Sequence, residues 1–389
     1  MEQNVGNVQL IQKMNRLKVL DYIRRNPDVA RPAISQATGL SLSSMTNITS
    51  YLLSKGLVTE NGMENAQRVG RKSTLLRFHA SAYGLICIFI NVGTVTIAYT
   101  DMEGHIQHNF RTDLDNMSSG KVMDFICGHV NSFIREHGRE KVLGIGISIS
   151  GLILDNGRFV LSSSLKWKEF DLKSILETET GLPVFIENVT LLKAVWHFCC
   201  NTNHTCDNML LVDIENGIGA VQYYQGAINR AMLGEIGHTT VEKDGEPCFC
   251  GNTGCLEAMC SEQRILKLYR EYSGQSVSDL TELSIKYDQG DTAASLAITE
   301  CSDYLGIGLA NLVNLCKPAL IMINTGDFCK IPFFLEHAIE IMKQRAYPVL
   351  VKDLQVEQVS TSDTAMHQGA AFNLCDRLFD ISFPGNIVE

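Results

Sequence analysis

Residues 233–257 read LGEIGHTTVEKDGEPCFCGNTGCLE, and the reading of the whole chain starts there. One imidazole, His238, and three thiols, Cys248, Cys250 and Cys255, fall within eighteen residues. Cys₃His is the ligand set of a closed structural zinc site, and Gly251 and Gly254 free the backbone to wrap around a tetrahedral ion. Four protein ligands leave no coordination position open for catalysis. The alternative is a group of buried free thiols, which is how the other cysteines read. Cys199-Cys200, for instance, closes the apolar stretch Ala194–Cys200 and fits helix packing. The chain opens Met1-Glu2-Gln3-Asn4 with no signal-peptide pattern, and no segment is long enough to cross a bilayer. A cytoplasmic location is therefore expected, where the 13 cysteines stay reduced and serve as buried thiols or metal ligands.

Outward from the cluster, charge divides the chain. The net charge is −10, yet residues 1–80 hold 11 Lys and Arg against 5 Asp and Glu, so the remainder carries −16. A basic first fifth on an acidic body suits contact with a polyanion at one end, and a ribosomal or membrane-surface role fits the same totals. Local pattern favours DNA. Met14, Leu17, Leu20 and Ile23 recur at helical spacing over 15–25, and Asn26-Pro27-Asp28 ends the run. A second short helix fits Pro32–Thr38, with Gly39 leaving it. Ser41 caps a third helix, with Leu42, Met45, Ile48 and Leu52 expected inward and Ser43, Ser44, Thr46, Asn47 and Ser50 outward. That small, uncharged polar face suits the major groove, as the second helix of a helix-turn-helix does. Extended residues 57–60 and 70–78 flank a loop bearing Arg68, Arg71 and Lys72. This is a basic wing able to reach phosphates, or else a solvated loop.

Beyond residue 80 the apolar runs Leu85–Ile90, Val95–Tyr99, Val142–Ile149, Leu210–Ile214 and Leu320–Ile323 read as strands between helical segments, with a hairpin turn at Asp101–Gly104. The body is α/β by pattern. At 389 residues, two to three folding units are expected.

The series Leu233-Gly-Glu235-Ile-Gly-His238 followed by Cys248-x-Cys250-Gly-x-x-Gly-Cys255-x-Glu257 resembles the ROK family of repressors and sugar kinases. Gly39-Leu40-Ser41, Gly70-Arg71-Lys72 and Leu75 resemble the winged-helix half of its repressors, which the kinases generally lack. The resemblance implies a winged helix-turn-helix DNA-binding domain over 1–80. It further implies a two-lobed, actin-like (ribonuclease H-like) sugar-kinase domain over 81–389. Lobe 1 would take about 81–195 plus the C-terminal helix in 363–389, and lobe 2 about 196–362, with ligand between them. It places Asn188, Glu235, His238 and Glu257 at a sugar site, although Glu235 and Glu257 could instead support the metal loop. His238 would face zinc with one ring nitrogen and the sugar with the other.

The departures from the family's kinases argue against catalysis, so no catalytic residue is assigned. Glu187-Asn188-Val189 stands where they have Glu-Asn-Asp, and valine cannot accept the proton of the attacking hydroxyl. Asn91-Val92-Gly93-Thr94 replaces Asp-x-Gly-Gly-Thr. Glu215 sits in the second phosphate loop, where it would repel phosphate, and Asn324-Thr325-Gly326 replaces a glycine cluster. Ser164 stands where the family often has a sugar-facing asparagine. The expected protein is a sugar-responsive repressor of carbohydrate metabolism, xylose metabolism among the candidates. It would be a homodimer on an inverted-repeat, double-stranded DNA operator, with a sugar or sugar derivative as effector, and would not bind membranes. The alternatives are an active sugar kinase with a DNA-binding appendage, or a repressor controlled by a protein partner.

Overall fold

The structure, a computed structural model, describes residues 2–63, 73–91, 93–114, 119–162, 165, 167–201, 206–215, 217–380, 383 and 388. It begins with α1 (Glu2–Arg25), β1 (Val29–Ala30), α2 (Arg31–Thr38), α3 (Leu42–Ser54), β2 (Val58–Met63) and β3 (Thr74–Phe78). The three strands form one sheet in the order β1-β3-β2, so the two long strands make an antiparallel hairpin with β1 on its outer edge. Helix α1 starts well ahead of the predicted residue 15, and Met14 on it is exposed while Leu17, Leu20 and Ile23 are buried. Gly39 closes α2 in the left-handed region, and Ser41 caps α3 by accepting the Ser44 N–H, both as expected. Leu42, expected inward, is instead 58% exposed. The buried stripe of α3 runs Met45, Thr49, Leu52, so the first turn overhangs the core. Thr49 is tolerated there because its hydroxyl accepts from Arg31 Nε at 2.9 Å.

A five-stranded sheet follows. It comprises β4 (Gly84–Asn91), β5 (Thr94–Asp101), β6 (Ile106–Asp113), then α4 (Ser119–His137) and β7 (Val142–Ile149). A small antiparallel sheet of β8 (Leu152–Leu154), β9 (Phe159–Ser162) and β10 (Trp167–Phe170) precedes α5 (Leu172–Thr180) and β11 (Val184–Asn188). The main sheet has the order β11-β7-β4-β5-β6, with β11, β7 and β4 parallel. Helix α6 (Val189–Val195) and a π-helical turn, Trp196–Cys200, lead to the second half.

That half holds β12 (Asn208–Asp213), β13 (Gly219–Tyr224), β14 (Ala227–Gly234), α7 (Leu256–Cys260), α8 (Glu262–Ser273), α9 (Leu280–Asp288), α10 (Thr292–Cys316), β15 (Leu320–Asn324), α11 (Pro332–Arg345), α12 (Pro348–Val351) and β16 (Gln355–Val359). Its sheet order is β14-β13-β12-β15-β16, with β12, β15 and β16 parallel. Alternation sorts its side chains. Leu210, Val212, Ile321 and Ile323 face α8, α10 and α11, while Met209, Leu211, Leu320 and Met322 join the core shared with α6 and the last helix, α13 (Asp363–Leu378).

Helix α13 returns to the first half and packs on β4, β5, β7 and α6. Its approach to α6 is close: a Cβ at Gly369 would lie 2.3 Å from the Leu192 carbonyl oxygen. The same core runs on into the N-terminal unit through Leu17, Leu20, Leu57 and Phe78. No described helix is long and apolar enough to cross a membrane.

Candidate functional site

The carboxyl ends of the parallel strands β4, β7 and β11 of one large sheet and β12 of the other open onto one cleft of about 1660 Å³. Ligands of open α/β folds gather at such strand ends. Asn188, Glu235, His238 and Glu257, named from the sequence, all line it. Asn188 ends β11 and caps α6: its Oδ1 accepts the Thr190 N–H at 2.8 Å and its Nδ2 donates to the Gly151 carbonyl at 3.0 Å. Glu235 and His238 sit on the short 3₁₀ turn after β14, Glu235 exposed and His238 half-buried. Glu257, on α7, accepts the Ile218 N–H at 2.9 Å. Burial raises the Glu257 carboxyl above the usual carboxylate range, against the pull of that hydrogen bond and of His238.

His238, Cys248, Cys250 and Cys255 converge, with one donor atom from each within 4.8 Å of the others. Cys248 Sγ lies 3.5 Å from His238 Nδ1, and Cys250 Sγ lies 3.6 Å from Cys255 Sγ. A tetrahedron with zinc–sulfur bonds of about 2.3 Å has sulfur–sulfur edges of about 3.8 Å, so these residues fit such an ion. Gly254 makes the loop possible, since its φ is 68° and a Cβ would fall 1.5 Å from the Glu242 carbonyl oxygen. With Nδ1 turned to the thiols, Nε2 is the ring nitrogen His238 has left for the cleft. Cys255 is fully buried, which together with its sulfur neighbours pushes its thiol up to about 12. A metal has to displace that proton.

The sequence reading missed a buried ionic cluster at the floor of the cleft. Lys193, on α6, is 3% exposed and donates to both Asp213 oxygens at 2.9 Å and to Glu215. Asp213 accepts also from Asn324 Nδ2 at 2.7 Å and from Thr190 Oγ1 at 3.3 Å. Burial would lower the Lys193 ammonium, but the two carboxylates prevail and hold it above its ordinary value. Glu215, read from the sequence as repelling phosphate, is thus engaged by an internal cation that ties α6 to the turn after β12. A lone lysine in the otherwise uncharged run Val189–Val195 was the available signal. A second pairing joins Glu187, on β11, to Arg377 of α13 and Arg230 of β14, each at 2.9 Å.

In the N-terminal unit Ser43, Thr46 and Asn47 are exposed on α3 and Ser44 is half-buried. The Ser44 hydroxyl accepts from the Ser41 hydroxyl, and the Thr46 hydroxyl donates to the Leu42 carbonyl. Arg68, Arg71 and Lys72 lie outside the described residues, as do Ser164 and Asn216. The unit is fastened to α13. Arg24 is buried, bonds Asp21 and Asp376, donates to the Phe372 carbonyl at 3.4 Å and lies 4.2 Å over the Phe372 ring. Lys13 and Arg16 donate to the Phe383 and Val388 carbonyls at 3.2 and 3.1 Å.

Residues 85–376 match the ROK family model. The chain belongs to the ROK family. It is 28% identical over 389 residues to the xylose repressor of Bacillus spizizenii, covering 97% of this chain and 99% of that one. Among solved structures it is similar to a ROK family transcriptional regulator described as a homologue of the Escherichia coli Mlc protein, with a TM-score of 0.81, 24% identity and coverage of 97% of this chain and 99% of that one. A ROK family glucokinase from Streptomyces griseus, solved with glucose and AMPPNP, superposes with a TM-score of 0.60 at 22% identity. It covers 74% of this chain and 98% of its own.

Proposed function

We infer that this ROK protein is a DNA-binding transcriptional repressor of sugar metabolism whose kinase-like cleft senses a sugar or sugar derivative. One observation carries the reading: a cleft bearing four polar residues and a helix-turn-helix unit share one chain, and α13 touches both through Glu187–Arg377 and Arg24–Asp376. We assign residues 1–80 to DNA binding and 81–389 to the sensor. Its lobe 1 takes about 81–195 plus 363–389, and lobe 2 about 196–362. Asn188, Glu235, His238 and Glu257 would hold the sugar hydroxyls. Polar groups that a bound sugar would cover discriminate strongly, because a ligand lacking the matched hydroxyl leaves them unpaired.

His238, Cys248, Cys250 and Cys255 would hold a structural zinc ion, which fixes the His238 ring and draws the loop 239–255 against the cleft. Nothing in this reading requires phosphoryl transfer. Val189, at the head of α6, offers no proton acceptor, and Lys193 already satisfies the carboxylates by the second phosphate loop. Ser43, Ser44, Thr46 and Asn47 would enter the major groove, with Arg68, Arg71 and Lys72 on the phosphates or in the minor groove. A homodimer on an inverted repeat would place two such faces, and sugar-driven lobe movement would be felt at α1 through α13.

A thermal-shift screen of the zinc-loaded protein against neutral sugars, amino sugars, sugar phosphates and ATP tests the sensor reading. A ligand that binds the folded state raises its apparent stability by mass action. The expected result is a shift with one sugar class and none with ATP. A shift with ATP, followed by turnover, would overturn the reading.

A further inference from the structure

Outside the cleft, three potential ligands meet where the edge strand β6 faces the end of α4. His108 lies on β6, and Glu136 and His137 are the last two residues of α4. One donor atom from each lies within 4.8 Å of the others, and His108 Nε2 is 3.9 Å from Glu136 Oε1. None of the three lines the cleft, and none belongs to the cysteine cluster.

A second observation concerns His137 alone. Its ring stacks on Tyr99 at 3.8 Å and 7°, which fixes its plane, while the His108 ring sits 6.0 Å away. Its Nε2 is shielded from solvent and has no hydrogen-bond partner among the described residues. A buried ring nitrogen without a partner carries an uncompensated desolvation cost, which a directly bound cation removes. The place is otherwise favourable to positive charge: it lies at a helix carboxyl terminus, where carbonyl dipoles point outward, and beside a carboxylate.

We propose that His108, Glu136 and His137 form a second metal site, for a first-row transition dication such as Zn²⁺, Ni²⁺ or Co²⁺. Two imidazoles and one carboxylate favour these ions over Mg²⁺ and Ca²⁺, which prefer all-oxygen shells. Three protein ligands leave the rest of the coordination sphere to water, unlike the closed Cys₃His set. His108 and Glu136 are about half exposed, so ordinary rotamer changes close the 3.9 Å gap to the separation a shared ion requires.

The test is a Co²⁺ titration of the tag-free, full-length protein with its cysteine cluster already filled by zinc. One further equivalent of cobalt is expected, with visible ligand-field bands and no ultraviolet thiolate charge transfer. H108A and E136Q should each weaken that uptake by about tenfold or more, and together abolish it. Both side chains are exposed, so the metal-free melts of these variants should match the parent. Three results would overturn the proposal: no cobalt bound beyond the cluster, uptake accompanied by thiolate charge transfer, or uptake unchanged in the double variant.

Discussion

Lys193 carries the positive charge at the floor of the cleft. Its ammonium is buried between Asp213 and Glu215, so removing it leaves a buried, uncompensated carboxylate at Asp213. K193M is expected to lose about 3–5 kcal/mol of stability in denaturant melts, and adding D213N should recover part of the loss. The pH dependence has a definite sign. A lysine whose folded pKa is raised stabilises fully below its ordinary value of 10.5 and loses the benefit as pH climbs through the folded value. The gap between wild type and K193M should therefore hold from neutral pH upward and narrow only in strongly alkaline buffer. Glu257 gives a contrasting case, because its carboxylate is held against burial at the candidate sugar site. E257Q should melt no lower than the parent yet lose the sugar-induced thermal shift. A fall in melting temperature with the shift retained would make Glu257 a support for the metal loop.

Local and distant pairings differed in how openly the sequence displayed them. The Cys₃His cluster could be read because all four donors lie within one short loop, so spacing alone predicts convergence. The caps Gly39 and Ser41 were equally readable, since each acts within a turn of itself. S41A should cost about 1 kcal/mol, measurable by chemical denaturation. The Lys193 cluster stayed hidden because its partners lie 20 and 22 residues away, at the end of β12 and in the turn after it. Leu42 was misplaced for a related reason: helical periodicity shows which residues share a face, but not where the neighbouring helices stop covering it.

Helix α13 joins the N-terminal unit to the rest of the chain, and so, on the proposed function, the DNA-binding unit to the sensor. The family resemblance implied a C-terminal helix within 363–389 that returns to lobe 1, but nothing in the sequence showed that its outer face holds α1. Arg24 does so from a buried position; burial opposes its charge, and Asp376 and Asp21 restore it and hold its pKa above the ordinary value. R24A breaks that clamp without touching the cleft or α3. Sugar binding, followed by thermal shift, is expected to persist in R24A, while the effect of sugar on operator affinity should shrink.

At the scale of the molecule, the two five-stranded sheets meet at one cleft, and the three-stranded N-terminal sheet with its helices rides on α13. Sensing requires that sugar bind the DNA-competent and DNA-incompetent arrangements with different affinity, and the coupling is reciprocal. The most direct test is operator affinity of the full-length, zinc-loaded protein, with and without a saturating sugar that shifts its melt, at fixed salt. The account predicts a change of about tenfold or more, equal to about 1.4 kcal/mol of coupling. An operator affinity unmoved by a sugar that demonstrably fills the cleft would contradict it.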